Sequence, residues 1–91
     1  MLRLTKKIEY SLIALSYMHS LDSDKLTTSK EIADKFQIPK ELLAKALQQL
    51  ARFKVIHAFK GPNGGYKVDN SFKKLNFMDF IEIMEGPQGL V

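Results

Sequence analysis

The sequence predicts a mainly α fold with one small β-hairpin, an α+β winged helix-turn-helix. Two short amphipathic segments joined by a tight turn predict a helix-turn-helix over about residues 28–53. A β-branched run and a glycine-rich stretch follow at once and predict a hairpin wing over about residues 55–68. With 91 residues, 45% of them hydrophobic and 26% charged, residues 1–91 have the size and composition of one globular domain.

The first helix is expected from Thr5 to about Ser20. Ile8, Leu12 and Leu15 recur at helical spacing, and further apolar residues between them widen the stripe. So wide an apolar face indicates a helix that is buried on most sides, either in the core or against a partner subunit.

The start of this helix is basic, although cations are unfavourable at the positive end of a helix dipole. A nearby phosphate would explain these bases, although solvated side chains are the simpler explanation. The candidate phosphate contacts are Arg3, Thr5 and Lys6.

The second helix is expected to follow a short extended piece at Leu26–Thr27. Thr28 fits its N-cap, and Glu31 fits the capping-box position that reaches back to the cap. The helix is expected to run to about Phe36. Its expected buried residues are Ile32, Ala33 and Phe36.

The third helix is expected from Pro39 or Lys40 to about Phe53, because a proline suits the first turn of a helix. Its expected inner face is Leu43, Ala46, Leu47 and Leu50. Its expected outer face is Lys40, Glu41, Ala44, Lys45, Gln48, Gln49 and Arg52. Glutamine and lysine can bond base edges in a major groove, and arginine or lysine can pair with phosphates, so this outer face is a candidate DNA reader.

The wing is expected to be two strands around a loop. Val55–Phe59 is β-branched and aromatic, and Tyr66–Val68 is the returning strand. The loop residues are Gly61, Pro62, Asn63, Gly64 and Gly65, several of which tolerate positive φ. Lys60 and Lys67 flank this loop, which contains no acid, so its backbone can approach a polyanion.

A last short helix is expected to begin at Asn76, its N-cap, and to stop at Gly86–Pro87, a C-cap glycine followed by a helix breaker. Glu82 and Glu85 are expected on its exposed side. Its expected buried residues are Phe77, Phe80, Ile81 and Met84.

The net charge of +4 is unevenly distributed along the chain. Residues 36–74 carry eight bases and two acids, a net +6, whereas residues 75–91 carry three acids and no base, a net −3. The positive charge is therefore concentrated around the third helix and the wing, as expected of a nucleic-acid-binding face.

The composition argues against several classes of protein. The absence of cysteine removes disulfides, thiolate-bound zinc and cysteine-bound iron–sulfur clusters, and it fits a reducing, cytoplasmic compartment. The uncharged run Tyr10–Met18 is too short to span a bilayer, and the N-terminus does not have the pattern of a signal peptide. The two histidines, His19 and His57, lie on separate elements, and no nucleophile has a general base at a spacing typical of a catalytic site. We therefore do not expect an enzyme.

Four blocks of the sequence form a pattern together. Leu4–Leu12 is a Leu-Thr pair followed by a basic, tyrosine-containing helix, and Lys60–Val68 is a base followed by Gly-Pro-x-Gly-Gly-Tyr. Glu31–Ala33 with Leu43–Leu50 forms the helix-turn-helix, and Leu75–Pro87 ends in Glu-Gly-Pro. In these blocks the chain resembles, over essentially its whole length, the Rrf2 family of bacterial winged helix-turn-helix transcription regulators.

The resemblance implies roles for particular residues on double-stranded DNA. It implies that Lys60 reaches into the minor groove, that the Gly64–Gly65 backbone lies close to the sugar-phosphate, and that the outer face of the third helix meets the major groove. The candidate DNA-binding residues are Thr28, Ser29, Lys40, Glu41, Lys45, Gln48, Gln49, Arg52, Lys60, Gly61, Pro62, Asn63, Gly64, Gly65 and Lys67.

The chain also departs from the family pattern. Pro39 stands where the family often has an N-capping serine that can touch phosphate, and Ala44 stands where some members carry a base-reading glutamate. Family members usually continue with a loop that often carries cluster-binding cysteines and with a long dimerisation helix, whereas this sequence ends at Val91 with neither. We therefore expect either a truncated regulator or a short form without a sensor, and a cofactor only if a cysteine-bearing segment is missing.

The expected function is a sequence-specific DNA-binding transcription regulator, a repressor that binds an inverted-repeat operator as a homodimer. Helix 40–53 would read the major groove, and residues 59–67 would contact the minor groove and phosphates. Dimerisation would rest on the first helix and on Phe77, Phe80 and Met84. The alternative is a winged-helix protein-interaction module that does not bind DNA, against which the basic segment argues.

Overall fold

The computed structural model describes residues 5–21, 25–69 and 75–86. The elements in these ranges are α1 (Lys6–Ser20), α2 (Ser29–Phe36), α3 (Lys40–Arg52), β1 (Ile56–Phe59), β2 (Gly65–Val68) and α4 (Phe77–Glu85). The two strands pair antiparallel into one hairpin. The predicted fold class, mainly α with one small β-hairpin, is confirmed. Arg3 and Pro87 lie outside the described residues.

Helix α3 is the centre of the fold, because it contacts α1, α2, α4 and β1. Its residues Leu43, Leu47 and Leu50 are fully buried, and burying a leucine side chain contributes about 1.5–3 kcal/mol. These positions recur every three or four residues, so one stripe of the helix packs into the core while the opposite side stays outside. The other buried core residues are Ile8, Ala14, Leu15, Met18, Ile32, Ala33, Ile38, Ala46, Val55, Ile56, Phe80, Ile81 and Met84.

The starts of three helices are fixed by side-chain caps at the predicted residues or beside them. Thr5 accepts from the Ile8 amide at 3.3 Å, Thr28 from the Glu31 amide at 3.0 Å, and Asn76 from the Asp79 amide at 2.8 Å. Each cap satisfies an amide that has no partner inside its own helix.

The capping box predicted at α2 is only half present. The Glu31 carboxylate was expected to reach back to the cap, but its Oε2 instead accepts hydrogen bonds from the Tyr17 hydroxyl at 2.6 Å and the Thr27 hydroxyl at 2.8 Å. Two hydroxyl donors outside the helix therefore orient this carboxylate, and Glu31 joins α2 to α1 instead of closing its own helix end.

The turn between α2 and α3 is tight because α2 ends in a left-handed residue. Gln37 has φ 56° and ψ 46°, and the Ile38 amide donates back to the Ala33 carbonyl at 3.0 Å. This is the hydrogen bond of a Schellman motif, which reverses the chain at a helix C-terminus. Pro39 then precedes α3, and its carbonyl accepts the Leu43 amide at 3.0 Å. The expected start at Lys40 is confirmed, and Pro39 is the N-cap with a non-helical ψ of 126° instead of a first-turn residue.

Two phenylalanines predicted to be buried are exposed. Phe36, at the end of α2, is 38% exposed and packs edge-on against the Tyr17 ring with centroids 5.5 Å apart. Phe77 is 42% exposed, because the whole first turn of α4 lies on the surface and burial begins only at Phe80. The helical spacing of the apolar residues could not show at which residue the apolar face of α4 enters the core.

The hairpin places Ile56 opposite Val68 and Phe59 opposite Gly65. The predicted extended piece at residues 26–27 pairs with it, because Thr27 and Tyr66 exchange two main-chain hydrogen bonds, of 3.1 and 2.6 Å. The wing is thereby fastened to the segment that leads into α2. Among the described residues, no helix is long and apolar enough to cross a membrane.

Candidate nucleic-acid interface

The outer face of α3 is polar and exposed, as the sequence predicts. The exposed side chains on this face are Lys40, Glu41, Lys45, Gln48 and Arg52. Within residues 5–21, 25–69 and 75–86, none of these five makes a side-chain hydrogen bond or an ion pair. Their donors and acceptors therefore remain available to a ligand.

The structure corrects the orientation of Gln49. This side chain was expected on the outer face, but it is half-buried, and its Nε2 donates to the carbonyl oxygens of Ile83 at 2.6 Å and Met84 at 3.2 Å. Gln49 lies at the edge of the outer face beside α4, so tertiary packing decides its direction. It does not present its amide to solvent beside Gln48.

The N-terminus of α2 contributes Thr28 and Ser29. Thr28 is exposed, and its hydroxyl oxygen is used as the helix cap, which leaves the hydroxyl hydrogen for an external acceptor. Ser29 is half-buried. The Glu31 carboxylate lies in the first turn, and the Tyr17 and Thr27 hydroxyls hold its pKa below the ordinary value. At neutral pH the ionised Glu31 carboxylate therefore already complements the positive end of this helix.

The tip of the wing is exposed from Lys60 to Asn63. The Gly64 amide donates to the Gly61 carbonyl at 3.0 Å and closes the loop, and Gly61 has φ +110°, which favours glycine. Lys67 is half-buried and lies opposite His57.

At Gly64 and Gly65 the neighbouring backbone of the same chain leaves no space for a Cβ. A Cβ on Gly64 would overlap the Phe59 carbonyl oxygen, and one on Gly65 would lie 2.7 Å from the Thr27 carbonyl oxygen. Gly65 also has φ +154°. A side chain at either position would therefore clash with this chain's own backbone.

The N-terminus of α1 is surrounded by acids. Thr5 donates its hydroxyl hydrogen to Glu85 Oε1 at 2.7 Å, and Lys6 pairs with Glu9 at 3.2 Å. The hydrogen bond to Glu9 raises the pKa of Lys6. Thr5 and Lys6 therefore have partners within the chain, and Glu85 places an acid beside this helix end. Arg3, the third residue of this group, lies outside the described residues.

Sequence reasoning missed two exposed residues beside this surface. Lys54, two residues after the end of α3, has φ 62° and is exposed, and Phe59 is 49% exposed beside Lys60. The signal for Phe59 was present: with Ile56 buried, strand alternation places His57 and Phe59 on the outer side. His57 lies on this outer side, with its Nε2 2.5 Å from Asp69 Oδ1.

The residues that the structure describes do not form a site for an iron–sulfur cluster or another metal. The chain has no cysteine. In the parts of the chain that the structure describes, no three histidine or acidic side chains come together as a metal site.

Known proteins resemble this chain in sequence. The model of the Rrf2 family, described as an iron-dependent transcriptional regulator, matches residues 4–91. An HTH-type transcriptional regulator of Aquifex aeolicus (strain VF5) is 37% identical over 76 residues, which are 84% of this chain and 52% of that protein. BadM of Rhodopseudomonas palustris, also described as an HTH-type transcriptional regulator, is 32% identical over 84 residues, 92% of this chain and 53% of its own length. The chain spans about half the length of the curated relatives it matches.

Solved structures share the fold. CymR, the global cysteine regulator of B. subtilis, superimposes with a TM-score of 0.84 at 23% identity, over 96% of this chain and 67% of that one. A transcriptional regulator from Listeria innocua gives a TM-score of 0.84 at 22% identity, over 93% of this chain and 59% of that one. At such identities the likeness concerns the fold alone.

Proposed function

This chain belongs to the Rrf2 family, and from that premise we propose that it is the DNA-binding part of a cytoplasmic transcription regulator. It would act as a repressor, bound as a homodimer to an inverted-repeat operator. The observation that carries the proposal is the outer face of α3, where five polar or charged side chains are exposed and have no partner among the described residues. A helix with such a face, preceded by a tight turn, suits a DNA major groove.

The chemistry of that face fits base and phosphate contacts. Gln48 and Lys45 can bond base edges, and Arg52 and Lys40 can pair with phosphates. Gln49 is not included, because its amide is engaged with α4. Glu41 can accept from a cytosine amino group.

The wing adds a second contact. Lys60 begins an exposed loop whose tip carries no acid, so it would reach the minor groove or the neighbouring phosphates. Lys67 and Lys54 lie close to it along the chain and add positive charge. Thr28 would give its hydroxyl hydrogen to a phosphate.

A homodimer would place two such surfaces on half-sites about one helical turn apart. Phe80 and Met84 were expected at the dimer contact, but they are 3% and 1% exposed and belong to the chain's own core. The remaining candidates are Phe77, which is 42% exposed, and α1. In α1, Leu12, Ile13 and Tyr17, with Phe36 of α2, line an open apolar cleft of about 480 Å³.

The proposal is tested by binding to a labelled mixed-sequence duplex over a range of salt concentrations. Lys40→Ala and Lys60→Ala should each weaken binding about threefold to tenfold, and the slope of log K against log salt should fall by about one, because one phosphate contact is lost.

The control is Lys35→Ala, which removes the same charge from an exposed lysine of α2 that lies over the Tyr17 ring. It should change affinity by less than about twofold. Equal effects of all three variants would mean non-specific charge attraction. Unchanged affinity for Lys60→Ala at low salt would favour the alternative, a winged-helix module that binds protein. The relatives are transcriptional regulators, and we infer that this chain is not an enzyme.

A further inference from the structure

The last turn of α4 ends with main-chain carbonyls that its own helix cannot satisfy. The Glu82 carbonyl accepts the Gly86 amide at 2.8 Å, but those of Ile83 and Met84 lie beyond the last helical amide that could reach them. The last turn also contains no basic residue to complement the negative end of the helix dipole.

Gln49 of α3 supplies the missing donor. One amide group lies 2.6 Å from the Ile83 oxygen and 3.2 Å from the Met84 oxygen. Because both partners are acceptors, the group facing them must be the amide NH₂ of the side chain. A single glutamine therefore caps α4 from the neighbouring helix.

The same turn is tied to α1 as well. The carboxylate of Glu85 accepts the hydroxyl of Thr5, which is the N-cap of α1. The end of α4 is thus held by one donor from each of the two helices that it packs against.

We propose that Gln49 is a positioning residue for DNA reading, which fixes the roll of α3 against the last turn of α4. Gln48 precedes it, and Lys45 and Arg52 lie one helical turn away on either side. A roll of about 10° would move side-chain tips about 6 Å from the helix axis by about 1 Å, enough to disturb base contacts. The inference rests on the proposed function. It adds that a change in the last turn of α4 alters DNA affinity through Gln49, whose side chain does not contact DNA.

The test uses Gln49→Asn, which keeps the amide but shortens its reach by one methylene, with Gln48→Asn as the matched control. In the DNA-free protein we expect the Gln49 side-chain amide to exchange with solvent more slowly than that of Gln48. Gln49→Asn should shift the main-chain amide resonances of residues 83–86, and Gln48→Asn should leave them in place.

Binding of the labelled duplex is then measured well below the unfolding midpoint of each variant. Gln49→Asn should bind about threefold to tenfold more weakly than the wild type, the effect of losing about one hydrogen bond. Gln49→Leu keeps the bulk of the side chain but has no hydrogen-bond donor, and it should lose a similar factor in affinity. It replaces the asparagine variant in this test if that variant does not fold.

The outcomes separate the two proposals. Wild-type binding with unchanged affinity in the Gln49 variants would overturn the positioning role and leave the proposed function standing. So would a Gln49 amide that exchanges as fast as that of Gln48. A wild-type chain that binds no duplex at low salt would overturn the proposed function itself, and the positioning role with it.

Discussion

At the scale of single residues, the Glu31 carboxylate joins separate parts of the chain. Its Oε2 accepts the hydroxyls of Tyr17 and Thr27, and Thr27 exchanges main-chain hydrogen bonds with Tyr66 of the wing. One carboxylate therefore connects α1, the start of α2 and the hairpin. A group with these partners should affect the fold in a pH-dependent way.

The pH dependence follows from the direction of two pKa shifts. The Tyr17 and Thr27 hydroxyls lower the pKa of Glu31 below 4.5, so its stabilisation is present above pH 4.5 and is lost as pH falls through the folded-state pKa. The hydrogen bond to Glu31 raises the pKa of Tyr17 above 10.0. That stabilisation is present below pH 10.0 and is lost as pH rises through the folded-state pKa.

We predict that Glu31→Gln lowers the free energy of unfolding near neutral pH, and that its difference from the wild type shrinks in acid. The Tyr17 pKa should fall towards its ordinary value, because the charged acceptor is gone, and the ring NMR resonances of Tyr17 report this titration separately from those of the other two tyrosines. Asp34→Asn, which removes an exposed acid from the same helix, should leave Tyr17 unchanged. A Tyr17 titration that is identical in wild type and Glu31→Gln would contradict the network.

At the scale of elements, the wing depends on glycines for two different reasons. Gly65 combines a φ of +154° with a backbone neighbour, the Thr27 carbonyl oxygen, where a Cβ would stand. Gly61 has a φ of +110° but open space around it. The two positions therefore separate steric overlap from conformational strain.

We predict that Gly65→Ala destabilises the fold by about 2–4 kcal/mol, because strain and overlap with backbone act together. Gly61→Ala should cost about 1 kcal/mol, because strain acts alone. Urea unfolding of both variants measures the difference. An equal loss of unfolding free energy in both variants would mean that the wing does not approach the Thr27 backbone as closely as the structure shows.

The elements also show which features a sequence can predict. Caps at Thr28 and Asn76 depend on contacts within four residues, so local pattern was sufficient to find them. The direction of Gln49 depends on residues more than thirty positions away, and the exposure of Phe77 depends on where the neighbouring elements end. The hydrogen bond from Tyr17 to Glu31 could not be predicted for the same reason, because Tyr17 lies on another helix.

At the scale of the whole molecule, positive charge and acidic charge are separated. The segment from residue 36 to 74 has a net +6, and residues 75–91 have a net −3. Among the described residues, the acids Asp79, Glu82 and Glu85 lie on or near α4, which packs against α3 and α1. DNA would therefore approach α3 from the side of its outer face, away from α4.

One measurement tests this account most directly: titration of the isotope-labelled chain with duplex DNA, followed by the amide resonances of every described residue. We predict the largest shifts in residues 40–52 and 60–67, with small shifts in the exposed first turn of α4 and around Lys35. Large shifts confined to α1 or α4, with α3 unaffected at low salt, would contradict the assignment of α3 as the reading helix.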